Sequence, residues 1–285
     1  MPVAGLLVEG KLDKELLTAV LQGRPAVEVG GGGKYALPHA ARHRKPPMTG
    51  RLAYLRDRDF DADPPDDAAA PVRVPHGDGV LGWRWCRHEV ENYLLEPALV
   101  GLALGCNVGE YSAALTAAAT GIRDYAAARW TVGATRRGLP PSHAFETKPA
   151  ELRDVDFRLP DDLSAEATQA WMRRHTAAFR DRVCPQLDDS ALEPLCQSYR
   201  TRLAGAVAHA EDVLVWFPGK DLIAALAPWL ATRQLDAGRF RERLRDWFVE
   251  HPEQALEVLG EWRHLRDALL GDTETGSGNG AESDA

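Results

Sequence analysis

The sequence predicts an α/β protein with a mostly parallel sheet flanked by helices, and three patterns support this fold class. Short apolar runs of strand length alternate with helical periodicity from residue 3 to residue 95. Ala-rich stretches with helical spacing replace that alternation from Pro97 onward. The apolar run 212–217 (DVLVWF) then predicts a strand that returns the chain to the sheet.

The chain is expected to have four parts. Residues 1–96 form the first part of the core, 97–210 a helical insertion, and 211–270 the last strand with the C-terminal helices. Residues 271–285 contain too few apolar side chains to pack and are expected to form a disordered tail. With 285 residues, of which 45% are hydrophobic, the chain can bury a substantial core.

The first elements place a carboxylate where a strand gives way to a helix. An apolar strand at 3–8 ends at Glu9, and apolar residues at three- and four-residue spacing predict a helix over 12–21. A short strand at 26–29 runs into the glycines 30–33, which lack the Walker spacing and predict a turn. A helix follows at 37–44.

The next elements repeat this arrangement. A strand at 51–55 is followed by Asp57 and Asp59, which would point the same way if the chain stays extended. A loop rich in Pro, Asp and Ala covers 61–78, a strand is expected at 80–86, and Glu91 comes after it. Carboxylates at the carboxyl ends of parallel strands face the crevice in which ligands bind. Mg²⁺ prefers such oxygen ligands, so the pattern predicts a metal site.

These residues carry a family resemblance. The strings VEGKLDKELL, LRDRDFD, VENYLLEP and FPGKDLIAAL resemble the Toprim domain shared by topoisomerases, bacterial primases and OLD-family nucleases. They are most similar to the stand-alone Toprim proteins of domain-of-unknown-function family 4435, some of which act beside ATPases in anti-phage systems. The match spans residues 3–95 and 211–232. The resemblance implies a Toprim-like fold and cleavage of phosphodiester bonds.

The resemblance also implies roles for individual residues. Glu9, Asp57, Asp59 and Glu91 would hold one or two Mg²⁺ or Mn²⁺ ions, with no organic cofactor. Glu9 and Asp57 would take part in catalysis, and Lys220 would offset charge on the scissile phosphate. Glu89 competes with Glu91 for the third ligand position, and the family pattern favours Glu91. The general base is left open.

Simpler interpretations stand beside these. The Asp-rich stretch after the third strand is typical of a solvated loop, and Glu9 is also compatible with a residue that caps the following helix. Lys220 is equally compatible with a surface lysine at a helix start. The leucines 256, 259, 265 and 269 on the C-terminal helices are compatible with a homodimer seam or with an intramolecular core.

Charge and composition limit the functional classes. The net charge of −8 argues against bulk electrostatic coating of nucleic acid, so a nucleic-acid enzyme would need a local basic groove. The four cysteines show neither zinc-type nor disulfide-type spacing. Without a recognisable signal peptide or apolar span, the chain is expected to be cytoplasmic and not bound to a membrane. The candidate substrate contacts are Lys11, Arg136, Arg137, Arg173 and Arg174.

Three functions are compatible with these patterns. The first is a Mg²⁺-dependent endonuclease acting on DNA or structured RNA such as tRNA, working as an anti-phage effector with a separate ATPase as partner. The second is a non-catalytic Toprim-like binding module, or a partner subunit of an ATPase. The third is a primase-type nucleotidyl transferase, which the absence of zinc-ribbon cysteines disfavours.

Overall fold

The computed structural model describes residues 3–33, 35–45, 50–75, 81–140, 162 and 164–271. The chain divides into two compact units. The first comprises Met1–Ala126 and Arg202–Ala285, and the second comprises Ala127–Thr201. The expected disordered tail lies outside the described residues from residue 272 onward.

Five strands form one sheet in the first unit. They are β1 (Val3–Val8), β2 (Ala26–Val29), β3 (Arg51–Arg56), β4 (Val72–Val74) and β5 (Leu81–Arg84). Their order is β2-β1-β3-β5-β4. The first four in that order are parallel to one another, and β4 pairs antiparallel with β5. The predicted α/β class with a mostly parallel sheet flanked by helices is therefore confirmed.

The described residues form thirteen helices, several of them short. They are α1 (Lys11–Leu21), α2 (Leu37–His43), α3 (Glu91–Leu94), α4 (Pro97–Leu104), α5 (Val108–Gly138), α6 (Ala165–Leu187), α7 (Asp189–Ala206), α8 (Ala210–Trp216), α9 (Gly219–Ala225), α10 (Ala227–Ala231), α11 (Ala237–Glu250), α12 (Pro252–Val258) and α13 (Gly260–Gly271). No described helix is both long and apolar enough to cross a membrane.

Helices cover both faces of the sheet. The connection from β1 to β2 runs toward one edge of the sheet, and the connection from β2 to β3 runs back past β1 toward the other edge. Because both crossovers are right-handed, they place α1 and α2 on opposite faces of the sheet. On the α2 face, Leu37 packs with Leu7, Leu52 and Tyr54. An aromatic cluster next to β5 joins Trp85 to Trp262 of α13, with ring centroids 4.8 Å apart.

The predicted strand at 212–217 is wrong, because this segment forms the helix α8. The sheet edge that such a strand would occupy beside β5 is taken by β4, which comes from the stretch predicted to be a loop. In α8, Val213 and Leu214 are buried on one side, and Phe217 just beyond the helix is buried too. A short apolar run fits a strand or a buried helix equally well, and tertiary packing decides between them.

The four C-terminal leucines, 256, 259, 265 and 269, are buried within the chain. They therefore belong to an intramolecular core. The first unit also includes α4 and the first part of α5, where Leu99, Tyr111 and Leu115 are fully buried. In the second unit, Trp130 of α5 stacks on Tyr199 of α7, with ring centroids 5.6 Å apart.

Candidate metal centre

The first two predicted carboxylates meet between β1 and β3. These strands are neighbours, yet the chain visits β2 on the other side of β1 before it reaches β3. Ligands bind at such a switch point, outside the carboxyl ends of the strands. Glu9 follows β1 and Asp57 follows β3, and the Asp57 backbone N–H donates to Glu9 Oε1 at 2.9 Å. This bond ties the two strand ends together.

Asp59 joins this edge by a different route from the one predicted. Its φ of 47° is left-handed, so the chain from Asp57 to Asp59 is not extended. Its N–H donates to the His88 carbonyl at 2.8 Å, and its Oδ1 lies 3.8 Å from His88 Nδ1. Aspartate tolerates this backbone conformation better than most residues. Asp59 therefore turns toward the segment that follows β5.

The buried side chain of Arg58 fixes the turn between these aspartates. Its guanidinium donates to the carbonyls of Cys86 at 2.9 Å, Ala62 at 2.9 Å and Val215 at 2.5 Å. Burial lowers the pKa of Arg58 to about 10, which leaves it charged at neutral pH. Arg58 thus joins the loop after β3 to the segment after β5 and to the end of α8.

The segment after β5 supplies two buried glutamates. Asn92 Oδ1 accepts the N–H groups of Glu89 at 3.1 Å and Gly219 at 3.0 Å, while its Nδ2 donates to the Phe217 carbonyl at 2.8 Å. Glu89 and Glu91 are both buried. Asn92 therefore holds the start of α9 against the acidic segment.

Lys220 faces both glutamates. Its Nζ lies 2.5 Å from Glu89 Oε2 and 3.1 Å from Glu91 Oε2, and its backbone N–H donates to Glu89 Oε1 at 2.7 Å. Burial opposes the charge of the ammonium, but the two carboxylates outweigh it and raise the pKa of Lys220. Arg241 lies 3.9 Å from Glu91 Oε1 on the other side. Glu91 thus faces two cationic side chains.

The carboxylates repel one another. Burial raises the pKa of Asp57 well above its usual value, and the charges of Asp13, Glu9, Asp59 and Glu89 raise it further. Burial also raises the pKa of Asp13 to about 6, with a further contribution from Glu91. Burial raises the pKa of Glu89 as well. This edge of the sheet is therefore an acidic centre whose charge a cation would stabilise.

One atom supports the fit of a cation in particular. Asp57 Oδ1 is buried and has no hydrogen-bond partner among the described residues. An unpaired buried carboxylate oxygen is costly, and a metal ion is one way to satisfy it. The donor set is rich in carboxylate oxygens, which suits a hard divalent cation. The residues that the structure brings together therefore fit the implied metal.

The structure brings the predicted ligands to one edge of the sheet, and it places further titratable residues beside them. Asp59, His88 and Glu89 each offer a ligand atom within 4.8 Å of the other two, whereas Glu91 faces Lys220 and Arg241. Sequence reasoning did not identify Asp13 or His88. Asp13 lies one helical turn after Glu9, a spacing that puts both at the same end of α1. His88 directly precedes Glu89.

The predicted substrate contacts are divided between the two units. Lys11 is exposed at the start of α1, in the unit that holds the carboxylates. It lines an open groove of about 870 Å³ with Lys14 and Arg245. The second unit holds Arg136 and Arg137 at the end of α5, and Arg173 and Arg174 on α6.

No protein-family model matches the chain, and no curated protein matches it either.

Proposed function

We propose that this protein is a divalent-cation-dependent nuclease that cleaves phosphodiester bonds of DNA or structured RNA. One observation carries the proposal: Asp57 Oδ1 is buried without a hydrogen-bond partner among the described residues, beside other carboxylates at the β1/β3 switch point. Such a concentration of negative charge is stabilised by a cation, and carboxylate-held Mg²⁺ or Mn²⁺ is common in phosphoryl chemistry. The Toprim resemblance of the same residues supports the reaction class.

Each residue has a specific task in this proposal. Glu9, Asp57 and Asp59 hold the cation, which supplies a Lewis acid for the phosphate oxygens and acidifies water. Glu9 also positions Asp57 through its bond to the backbone N–H. Lys220 sits at the edge of the carboxylates, and 58% of its side chain is exposed to solvent. It would offset charge that develops on the phosphate oxygens.

The test uses substrates of each class. The full chain is incubated with supercoiled plasmid, single-stranded DNA and total tRNA in Mg²⁺, in Mn²⁺ and in EDTA. Glu9→Gln keeps an oxygen that accepts the Asp57 N–H but removes the charge, and we expect it to lose cleavage. Glu28→Gln on the exposed side of β2 is the matched control and should cleave normally. Cleavage that persists in EDTA or in Glu9→Gln would contradict the proposal.

A second candidate function is a non-catalytic module that binds a partner protein, such as a separate ATPase. It is favoured by the ion pairs of Lys220, because that ammonium already neutralises part of the charge of Glu89 and Glu91. Divalent-cation affinity separates the two candidates. Calorimetry that detects no binding of Mg²⁺ or Mn²⁺ would favour the binding module. An anti-phage role, a cytoplasmic location and a homodimer are further proposals, of which the anti-phage role depends on the family resemblance.

A further inference from the structure

The acidic centre contains an imidazole nitrogen donor, His88, in a fixed position. Its ring is 2% exposed and packs edge-on against Phe60, with ring centroids 4.5 Å apart. Its Nδ1 lies 3.8 Å from Asp59 Oδ1, and its carbonyl accepts the Asp59 N–H at 2.8 Å. Glu89 is the next residue along the chain. Asp59, His88 and Glu89 therefore hold one nitrogen and two carboxylate ligand atoms within 4.8 Å of one another.

A further observation indicates a cation here. Asp57 Oδ1 is buried without a hydrogen-bond partner among the described residues, and the charges of Asp59 and Glu89 act on that carboxylate. The Lys220 ammonium lies 2.5 Å from Glu89 Oε2, so a divalent cation bound here would compete with it for that carboxylate. The Asp59 side chain is 32% exposed, which leaves the group open to solvent.

The chemistry of the donors selects the class of metal. Mg²⁺ takes oxygen ligands almost exclusively and keeps several waters. Imidazole nitrogen suits first-row transition-metal ions, and carboxylates suit Mn²⁺ as well as Mg²⁺ and Ca²⁺. We propose that Asp59, His88 and Glu89 form a mixed nitrogen and oxygen site that prefers Mn²⁺ to Mg²⁺, with His88 as a direct ligand. This inference rests on the proposed function and names the metal preference of the same centre.

A spectroscopic measurement tests the nitrogen ligand without any substitution. Mn²⁺ is added to the full-length protein, and the electron spin echo envelope is recorded. We expect modulation from ¹⁴N directly bound to the ion, and its replacement by the ¹⁵N pattern when only histidine is ¹⁵N-labelled. Bound Mn²⁺ without nitrogen modulation would overturn the inference, whatever the behaviour of the variants.

A pair of variants assigns the nitrogen to one residue. We expect His88→Gln to weaken Mn²⁺ binding by about tenfold or more in calorimetry, while Mg²⁺ binding changes little. His43→Gln is the matched control. His43 is exposed on α2, and its ring lies 4.3 Å from that of His39, so this pair is an alternative source of nitrogen. Loss of the nitrogen modulation in His43→Gln instead of His88→Gln would reject the site.

The outcomes separate this inference from the proposed function. Mn²⁺ and Mg²⁺ binding that disappears in Asp57→Asn but is unchanged in His88→Gln would reject the mixed site and leave the nuclease proposal intact. No binding of either ion to the natural protein would reject both. If His88→Gln fails to fold, the spectra of the natural protein and of His43→Gln decide the question: loss of the nitrogen modulation in His43→Gln would reject the site.

Discussion

Asp57 shows how single residues at this centre oppose the stability of the fold. Its carboxyl group is buried, its pKa is raised first by burial and then by four neighbouring carboxyl groups, and its Oδ1 has no hydrogen-bond partner among the described residues. Without a cation, the ionised form is costly to bury. Residues of this kind are expected where function, rather than stability, determines the side chain.

The substitution Asp57→Asn is therefore expected to stabilise the metal-free protein. The neutral amide removes the repulsion by the neighbouring carboxylates, and we expect a gain of about 1–3 kcal/mol in EDTA. The same variant should lose divalent-cation binding. Thermal unfolding in EDTA and calorimetry with Mn²⁺ check the two parts. Asp66→Asn, at an exposed position in the first unit, is the control and should change neither. A lower melting temperature for Asp57→Asn in EDTA would contradict the expectation.

Lys220 competes with divalent cations for Glu89 and Glu91. Its ammonium contacts both carboxylates, although 58% of the side chain is exposed to solvent. We expect Lys220→Met to raise the affinity for Mn²⁺ by about 3- to 10-fold, a modest effect because solvent screens the charge. At saturating metal, cleavage should fall by roughly tenfold or more if the ammonium also stabilises the phosphate.

Titration calorimetry and single-turnover cleavage measure the two effects of Lys220→Met separately. Lys14→Met, at an exposed position on α1, is the matched control for loss of one positive charge. Weaker Mn²⁺ binding in Lys220→Met than in Lys14→Met would show that the ammonium supports the cation site instead of competing with it.

At the scale of secondary-structure elements, the packing of α9 against α3 keeps Lys220 in place. A Cβ added at Gly219 would lie 2.8 Å from the Asn92 backbone nitrogen and 2.9 Å from Asn92 Oδ1. These atoms belong to the rigid network that also holds Glu89. The backbone conformation of Gly219 is ordinary for a helix. Glycine is therefore required there because the starts of α9 and α3 approach each other closely.

Gly219→Ala is expected to destabilise the protein by about 1–3 kcal/mol, because α9 must move away from Asn92. Chemical denaturation measures this change. Gly121→Ala is the matched control, since nothing lies within 4 Å of a Cβ at that exposed position in α5. Alanine there should be neutral or stabilising by up to about 1 kcal/mol. Equal effects of the two substitutions would show that the contact with Asn92 is unimportant.

The sequence predicts some of the strands and not others. The strands β1, β2 and β3 were predictable because each is a short apolar run bounded by turn residues, and the strand ends then located Glu9 and Asp57. Residues 72–74 were not, because a three-residue edge strand gains its stability from pairing with β5 and carries little pattern of its own. The edge beside β5 is occupied by β4, and the apolar run 212–217 packs as α8.

The sequence likewise predicts only some of the residues of the acidic centre. The strand ends identify Glu9 and Asp57 as carboxylates that lie close together. Asp13 lies near them only because α1 begins where it does. The helix starts just after Gly10, where an added Cβ would lie 3.1 Å from Asp13 Oδ2. The position of Asp59 beside His88 depends on a left-handed turn and on the buried Arg58, which no sequence periodicity encodes.

For the whole molecule, the acidic centre links stability to pH and to metal. Burial raises the pKa of Asp13 from 3.8 to about 6 in the folded state. Between those two values the folded state binds more protons than the unfolded state, so stability falls as the pH rises through this window. The full penalty, at most about 3 kcal/mol for this group, is present above pH 6. A bound divalent cation has the opposite dependence, because it requires deprotonated carboxylates.

We therefore expect the metal-free protein to melt a few degrees higher at about pH 5 than at about pH 7. With saturating Mn²⁺, the difference should shrink or reverse, because ligand binding to the folded state adds stability that grows with pH. Thermal unfolding in EDTA and in Mn²⁺ across this range measures both curves. Asp13→Asn cannot titrate and should flatten the EDTA curve, which separates its contribution from that of the histidines. An EDTA curve that rises from pH 5 to pH 7, with the same slope in Asp13→Asn, would mean that the carboxylates at this edge of the sheet do not control the stability of the molecule.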